Sequence, residues 1–233
     1  MFMYEFFIEN KEWLKIVYSL LITIICAIIV IKTDKLHKLS LHQGIRYFRN
    51  AFFFYGIAFI IRYIGGAFFT YVHLSNYSIL INIFFEYFVI MAGFFLLYSL
   101  LWKKVETSSI HSRSSLFNLK IALFYLMTFI IVSLDFIWKA YYFMFASQIL
   151  LFAFAVGISY SNYKNNGKKH SFLKFYFIAM VLSLIAWILN SLIALSLDWN
   201  QGILMNIYGI NIIIFVLFLY GVVKITNINN RKK

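Results

Sequence analysis

The sequence predicts an all-α integral membrane protein with seven transmembrane helices. Hydrophobic residues make up 63% of the chain and charged residues only 12%, whereas soluble domains carry about 25% charged residues. The apolar residues fall into runs of about twenty, the length that an α-helix needs to cross about 30 Å of hydrocarbon. The connections between the runs are short, so we expect one transmembrane domain over residues 1–233 and no soluble catalytic domain.

The first three spans are each bounded by polar residues. The first follows an acidic N-terminal segment that lacks the basic leader of a signal peptide, and we therefore retain it as a spanning helix. The second begins within the basic stretch "HQGIRYFRN", and the short connection "YVHLSNYS" lies between it and the third. The third ends at the pair Lys103 and Lys104.

The last four spans are bounded in the same way. The fourth follows "SSIHSRSS", the fifth begins at Lys139, the sixth follows "SNYKNNGKKH" and the seventh lies between "DWNQG" and Lys224. The seven predicted spans cover residues 13–32, 47–70, 78–102, 117–136, 139–160, 172–196 and 203–224.

Basic residues predict the direction of the chain. If the N-terminus lies outside, all but four of the 21 Lys and Arg residues fall on the inner side, the exceptions being Lys11, Lys15, Arg62 and Lys139. Because cytoplasmic loops carry an excess of Lys and Arg, we expect an N-out, C-in protein of the cell membrane. The net charge of +13 then faces anionic headgroups, and no nucleic-acid partner is expected.

Two further patterns concern the shape of the bundle. The chain has no proline, which favours regular helices over broken ones. The segments "ILINIFFEYF" and "ILMNIYGINI" align Asn82 with Asn206, and the second and sixth spans align at nearly the same offset. This indicates two parallel three-helix units joined by the fourth span, a 3+1+3 pseudo-repeat, with chance similarity of apolar helices as the alternative.

Arg62 is the main candidate for a functional site. At 1.5 Å per residue, Arg62 and Glu86 both lie about 12 Å from the outer ends of their spans, so they can form an ion pair. Other polar or aromatic residues reach the same half of the bundle and complete a predicted outward-facing pocket for a small polar ligand: Asn82, Gln148, Trp187, Asn190, Asn206 and Asn211. The alternative is a structural ion pair surrounded by interhelical hydrogen bonds.

The other motifs carry less chemistry. We expect Arg46, Arg49, Lys103, Lys104, Lys168 and Lys169 to contact headgroups or a cytoplasmic partner. The spacing of the five histidines and Cys26 does not match that of metal ligands. No set of nucleophile, base and acid lies at one common depth in the predicted membrane. We therefore expect neither a metal nor a cofactor, and no enzymatic activity.

By span number, direction and 3+1+3 plan, the chain resembles seven-helix membrane proteins of the sensor, receptor and opsin type. Opsins hold retinal on a lysine in the last span, and no lysine lies between Ile203 and Val223, so covalent retinal is not expected. The resemblance implies a sensor that signals through a separate cytoplasmic partner. A small-solute transporter or channel and a membrane assembly protein are the alternatives.

Overall fold

The part of the chain that the structure describes forms seven long helices. In a membrane core, where no water is present, a helix satisfies its backbone N–H and C=O groups within its own segment. A computed structural model describes residues 11–40, 42–71, 78–105, 119–166, 171–196 and 201–230. Within these ranges every residue is helical except His42 and residues 139–141. The helices are α1 (Lys11–Ser40), α2 (Gln43–Tyr71, in three segments), α3 (Ser78–Val105), α4 (Leu119–Trp138), α5 (Tyr142–Asn166), α6 (Ser171–Ser196) and α7 (Gln201–Asn230).

All seven are long and apolar enough to cross a membrane, as predicted, and no described residue lies in a strand. The predicted boundaries were short at the basic ends: α1 continues to Ser40 and α7 to Asn230. In α1 the extra turns carry Asp34, which forms ion pairs with Lys38 and Arg49. The direction of the chain in the membrane and the internal repeat stay predictions.

Six helices form a closed ring, and α4 lies outside it. Consecutive helices pack together within α1–α3 and within α5–α7; α3 also contacts α5, and α7 contacts α1. Close packing is achieved with small residues: Ala51, Ala92, Ala155 and Ala179 are fully or almost fully buried. α3 is the most buried span: 61% of an apolar stretch of 18 residues is buried inside the protein.

α4 packs only on one side. Phe124 stacks on Phe94 of α3 with ring centroids 5.1 Å apart, and the Thr128 hydroxyl contacts the Met91 sulfur at 3.2 Å. Large apolar side chains such as Phe129 and Ile137 on its other faces are exposed. These exposed apolar faces are suited to contact with lipid. α4 therefore packs against the outside of the ring, at α3 and α5.

The regularity predicted from the absence of proline fails in α2. This helix is α-helical over Gln43–Phe59, π-helical over Ile60–Gly65 and α-helical again over Gly66–Tyr71. The buried Ser19 hydroxyl of α1 donates to the Phe59 carbonyl oxygen at 3.0 Å, at the point where the π segment begins. A side chain bonded to a backbone carbonyl is one of the known ways to disturb the helical ladder without proline.

The turn between α4 and α5 is closed by a residue in the left-handed region. Lys139 has a φ of 51°, and the amides of Lys139 and Ala140 donate back to the carbonyls of Phe136 and Asp135 at 3.4 and 3.2 Å. This is the Schellman pattern, whose left-handed position is usually glycine because a Cβ there costs about 1 kcal/mol.

Lys139→Gly is therefore expected to raise the free energy of unfolding by about 0.5 to 1 kcal/mol, since it removes the strain of the left-handed residue at some cost in chain entropy. SDS titration of the purified protein measures this change. The neighbouring Ala140→Gly is the control and should not stabilise the protein. A loss of stability in Lys139→Gly would contradict the strain argument.

Candidate functional site

A cavity of about 140 Å³ lies in the middle of the six-helix ring. Each helix of the ring contributes to its wall, and α4 contributes none of the described lining residues. Four of the predicted pocket residues line it: Arg62 from α2, Trp187 and Asn190 from α6, and Asn211 from α7. Ser183 and Ala186, at helical spacing from Asn190 on α6, also line the cavity.

Arg62 reaches the cavity from the π segment of α2. A π-helical turn adds one residue to the repeat and so rotates the following side chains by about 100° relative to a continuous α-helix. The guanidinium carbon lies 4.2 Å from the centre of the Phe85 ring of α3 and 5.9 Å from that of Tyr63. The charge is thus held against aromatic faces by cation–π contacts.

Arg62 and Glu86 interact in a different way from the predicted ion pair. Glu86 is 3% exposed, does not line the cavity, and has the Asp135 carboxyl within hydrogen-bonding reach, while Arg62 acts on it as a nearby charge. A hydrogen bond between two carboxyl groups contains a proton, so the joined pair carries at most one negative charge. Glu86 therefore lies beside a second acid, and its buried Oε1 oxygen has no hydrogen-bond partner among the described residues.

Asp135 was missed by the sequence reasoning, although it organises this region. Its carboxylate is 2% exposed and accepts hydrogen bonds from the amides of Phe143 and Met144 at 2.9 and 2.7 Å, at the start of α5. Carboxylates are stabilised at helix N-termini, where backbone amides have no helical partner. An acid located just before a three-residue interhelical turn, as in "LDFIWKAYY", was the available sequence signal.

Tyr141, in the turn between α4 and α5, lies near the same charges. Burial raises the pKa of its hydroxyl, the Arg62 charge lowers it, and the Glu86 and Asp135 carboxyls raise it. The Tyr141 hydroxyl therefore stays protonated at neutral pH. It adds a neutral polar group to the cluster formed by Arg62, Glu86 and Asp135.

The α1 and α7 side of the cavity contains a polar contact that the sequence did not reveal. The Asn211 amide nitrogen donates to the Tyr18 oxygen at 3.1 Å, which joins the first and last helices of the ring. Tyr208 stacks on Tyr18 with centroids 4.4 Å apart. Residues so distant in the chain share no local pattern, so only the closed ring brings them together.

Besides Glu86, three predicted pocket residues either do not line the cavity or have side chains outside the described part of the chain. Gln148 is fully buried between α5 and α3, where its amide donates to the Val89 carbonyl at 3.4 Å and lies so close to Gly93 that a Cβ there would be 2.8 Å from its oxygen. Asn82 is half-buried on α3 and does not line the cavity. The side chain of Asn206 lies outside the described part of the chain.

At the opposite end of the bundle, Arg49 is engaged within the protein. It forms an ion pair with Asp34 and a hydrogen bond of 3.3 Å to the Asn50 side chain, while Lys38 pairs with Asp34 at 3.0 Å. Arg46 is half-buried on α2. The side chains of Lys103 and Lys104, and the whole of Lys168 and Lys169, lie outside the described residues.

Within the described ranges, no three His, Cys, Asp or Glu residues are grouped so that they could hold a metal ion. Comparison with known proteins adds no relative: no family model, curated protein or solved structure matches this chain. The cavity and the charges around it are therefore the features of the molecule that bear on its function.

The proximity of Glu86 and Asp135 leads to a prediction about stability. Asp135→Ala leaves two buried amides of α5 without an acceptor and should lower the free energy of unfolding by about 3 kcal/mol, whereas Asp135→Asn keeps one acceptor oxygen and should cost about 1 kcal/mol. Glu86→Gln should also cost about 1 kcal/mol or less, because the amide has nearly the same shape and can donate a hydrogen bond to the neighbouring Asp135 carboxylate. SDS titration measures all three.

If Glu86→Gln instead costs as much as Asp135→Ala, Glu86 is the ionised partner of Arg62 and the carboxyl-pair interpretation is wrong. Asp34→Asn, at the far end of the bundle, is the control for loss of a carboxylate. Since Asp34 is partly exposed, its replacement should cost less than Asp135→Ala.

Proposed function

We propose that this protein is an integral membrane sensor that binds a small ligand in the six-helix cavity and reports its presence to a separate cytoplasmic partner. The observation that carries the proposal is the cavity itself, whose wall is shared by α1–α3 on one side and α5–α7 on the other. A ligand bound there contacts both groups of helices at once. Its affinity therefore depends on how the two groups are packed, which is the requirement for shifting a conformational equilibrium.

The π segment of α2 supplies an element that can have two arrangements. A π turn and an α turn of the same residues differ by one position of the hydrogen-bond ladder, and π turns are frequent at functional sites. Arg62 lies within this segment and lines the cavity. A change in the backbone hydrogen-bond pattern there would rotate Arg62 and the last turns of α2 together. Ligand binding at Arg62 is thereby coupled to the geometry of the helix.

A layer of aromatic residues favours a protein that binds a ligand over one that transports it across the membrane. Phe48, Phe52, Tyr176 and Phe218 are all buried, and their ring centroids lie between 4.8 and 6.1 Å apart in the contacts that join them. Phe52 and Phe218 line the cavity, and Phe48 and Tyr176 follow one or two turns further toward the starts of α2 and α6. The rings close the cavity on that side, where a transporter needs a polar route.

The orientation deduced from the basic residues places this closed side at the cytoplasm. The sensor proposal adopts that orientation, with the N-terminus outside and the C-terminus inside. It also adopts the opsin-like or receptor-like plan without its chromophore. The basic connections would then contact headgroups and the partner that receives the signal.

Toluene tests the coupling, since it is neutral and an apolar cavity of about 150 Å³ is known to bind benzene. Spin labels on cysteines introduced at the exposed positions Lys35 and Lys174 measure the distance between α1 and α6 by electron–electron double resonance. We expect saturating toluene to shift the distance distribution in nanodiscs. Ala186→Leu, which fills the cavity, should abolish the shift, whereas Ala153→Leu on the exposed face of α5 should leave it intact.

An unchanged distance distribution, with toluene shown to bind by an increase in melting temperature, would sink the sensor proposal. Uptake of benzenesulfonate, a permanently charged probe, into proteoliposomes above the rate of protein-free vesicles would favour transport instead. The labelling is specific because the native thiol, Cys26, is 1% exposed.

A further inference from the structure

We propose that the ligand of the cavity is a small amphiphilic carboxylate, with its anionic group at Arg62 and its apolar body among the aromatic rings. This inference rests on the proposed function, since it assigns a chemical class to the ligand of the same cavity. Four features support it: the Arg62 guanidinium, the position of Glu86 and Asp135 away from the cavity wall, the other polar groups of the wall, and its aromatic rings.

The guanidinium is placed to receive an anion. Its central carbon lies 4.2 Å from the centre of the Phe85 ring, so the group packs against the aromatic wall of the cavity. The five N–H donors of arginine lie in the plane and point from its edges, in the fork that matches a carboxylate. A carboxylate is therefore the ligand group whose shape and charge best match the Arg62 side chain of the cavity wall.

The two nearby acids do not line the cavity with Arg62. Glu86 lies beside Asp135, and the Asp135 carboxylate accepts hydrogen bonds from the first amides of α5. The positive end of the α5 dipole compensates the negative charge of that pair. Of the charged residues in this cluster, Arg62 alone belongs to the cavity wall, so the wall presents a positive charge.

Further polar groups of the wall suit a carboxylate oxygen. The Tyr18 oxygen accepts the hydrogen bond from Asn211, which leaves the phenolic proton for an acceptor. Asn190 donates one N–H to the Ala186 carbonyl at 2.9 Å, and its amide has a second N–H. A carboxylate bonded to Arg62 has lone pairs for such donors.

The rest of the wall is aromatic. The Phe215 ring meets Phe52 and Phe59 edge to face, with centroids 5.8 and 5.9 Å apart, and Trp187 lies across the cavity beside Phe145 and Phe152. Rings arranged in this way favour a planar apolar body. The volume of about 140 Å³ limits that body to the size of one aromatic ring or a short alkyl chain.

Three shape-matched probes test the inference on the wild-type protein at pH 7: benzoate, neutral benzamide and cationic benzylammonium. Titration calorimetry in nanodiscs should give an affinity for benzoate at least about tenfold higher than for benzamide, with benzylammonium the weakest. Equal affinities for benzoate and benzamide, or a preference for benzylammonium, would overturn the carboxylate assignment while toluene binding still supports the cavity as a ligand site.

Arg62→Gln should lower the affinity for benzoate at least about tenfold and change that for benzamide less than about threefold. If this variant fails to fold, Tyr18→Phe keeps the shape of the wall and removes one donor, and it should weaken benzoate about three- to tenfold without weakening benzamide. Benzoate affinity unchanged in Tyr18→Phe and Arg62→Gln would contradict the proposed position of the carboxylate.

The ligand could reach the cavity from water or from the bilayer, and fatty acids share the carboxylate chemistry. Hexanoate and hexadecanoate separate these sources. Tighter binding of hexanoate, lost in Ala186→Leu, would support a soluble carboxylate, as the cavity volume favours. Tighter binding of hexadecanoate, also lost in Ala186→Leu, would support the same class with a membrane lipid as its source. Failure of benzoate, hexanoate, hexadecanoate and toluene alike would overturn this inference and the cavity function together.

Discussion

The architecture depends on how one permanent charge is accommodated inside an apolar bundle. A guanidinium cannot lose its proton, so a membrane-spanning helix that carries Arg62 must supply compensation within reach of its side chain. The compensation is distributed: the Phe85 ring gives a cation–π contact, and the acids on α3 and α4 provide a field from further away. The acids in turn require the start of α5, so the position of one charge constrains four helices.

Sequence reasoning predicted the elements that depend on composition. The seven spans follow from runs of apolar residues that are long enough to cross a membrane. Depth counting placed Arg62, Asn190 and Asn211 at similar levels, and all three line one cavity. Depth restricts position along the membrane normal, which is the coordinate that a helical sequence encodes best.

Rotation about the helix axis and the order of helices around the ring are encoded less directly. Gln148 was predicted to line the pocket, but it faces Gly93 of α3 and not the cavity. Glu86 was paired with Arg62 because the second and third spans are consecutive, whereas the acid that lies beside it comes from α4, which packs on the outside of α3. The π segment also escaped prediction, because its stabilising contact comes from Ser19 on another helix.

The π segment also changes how α2 responds to variation in its length. In an α-helix, deletion of one residue rotates every later side chain by about 100° and shifts it by about 1.5 Å, which ruins packing on one side of the deletion. In the segment Ile60–Gly65, α2 already holds one residue more than an α-helical ladder uses. Loss of one residue there would yield a continuous α-helix with both flanking faces in their present register. This part of α2 is thus the place where the bundle tolerates a change in chain length.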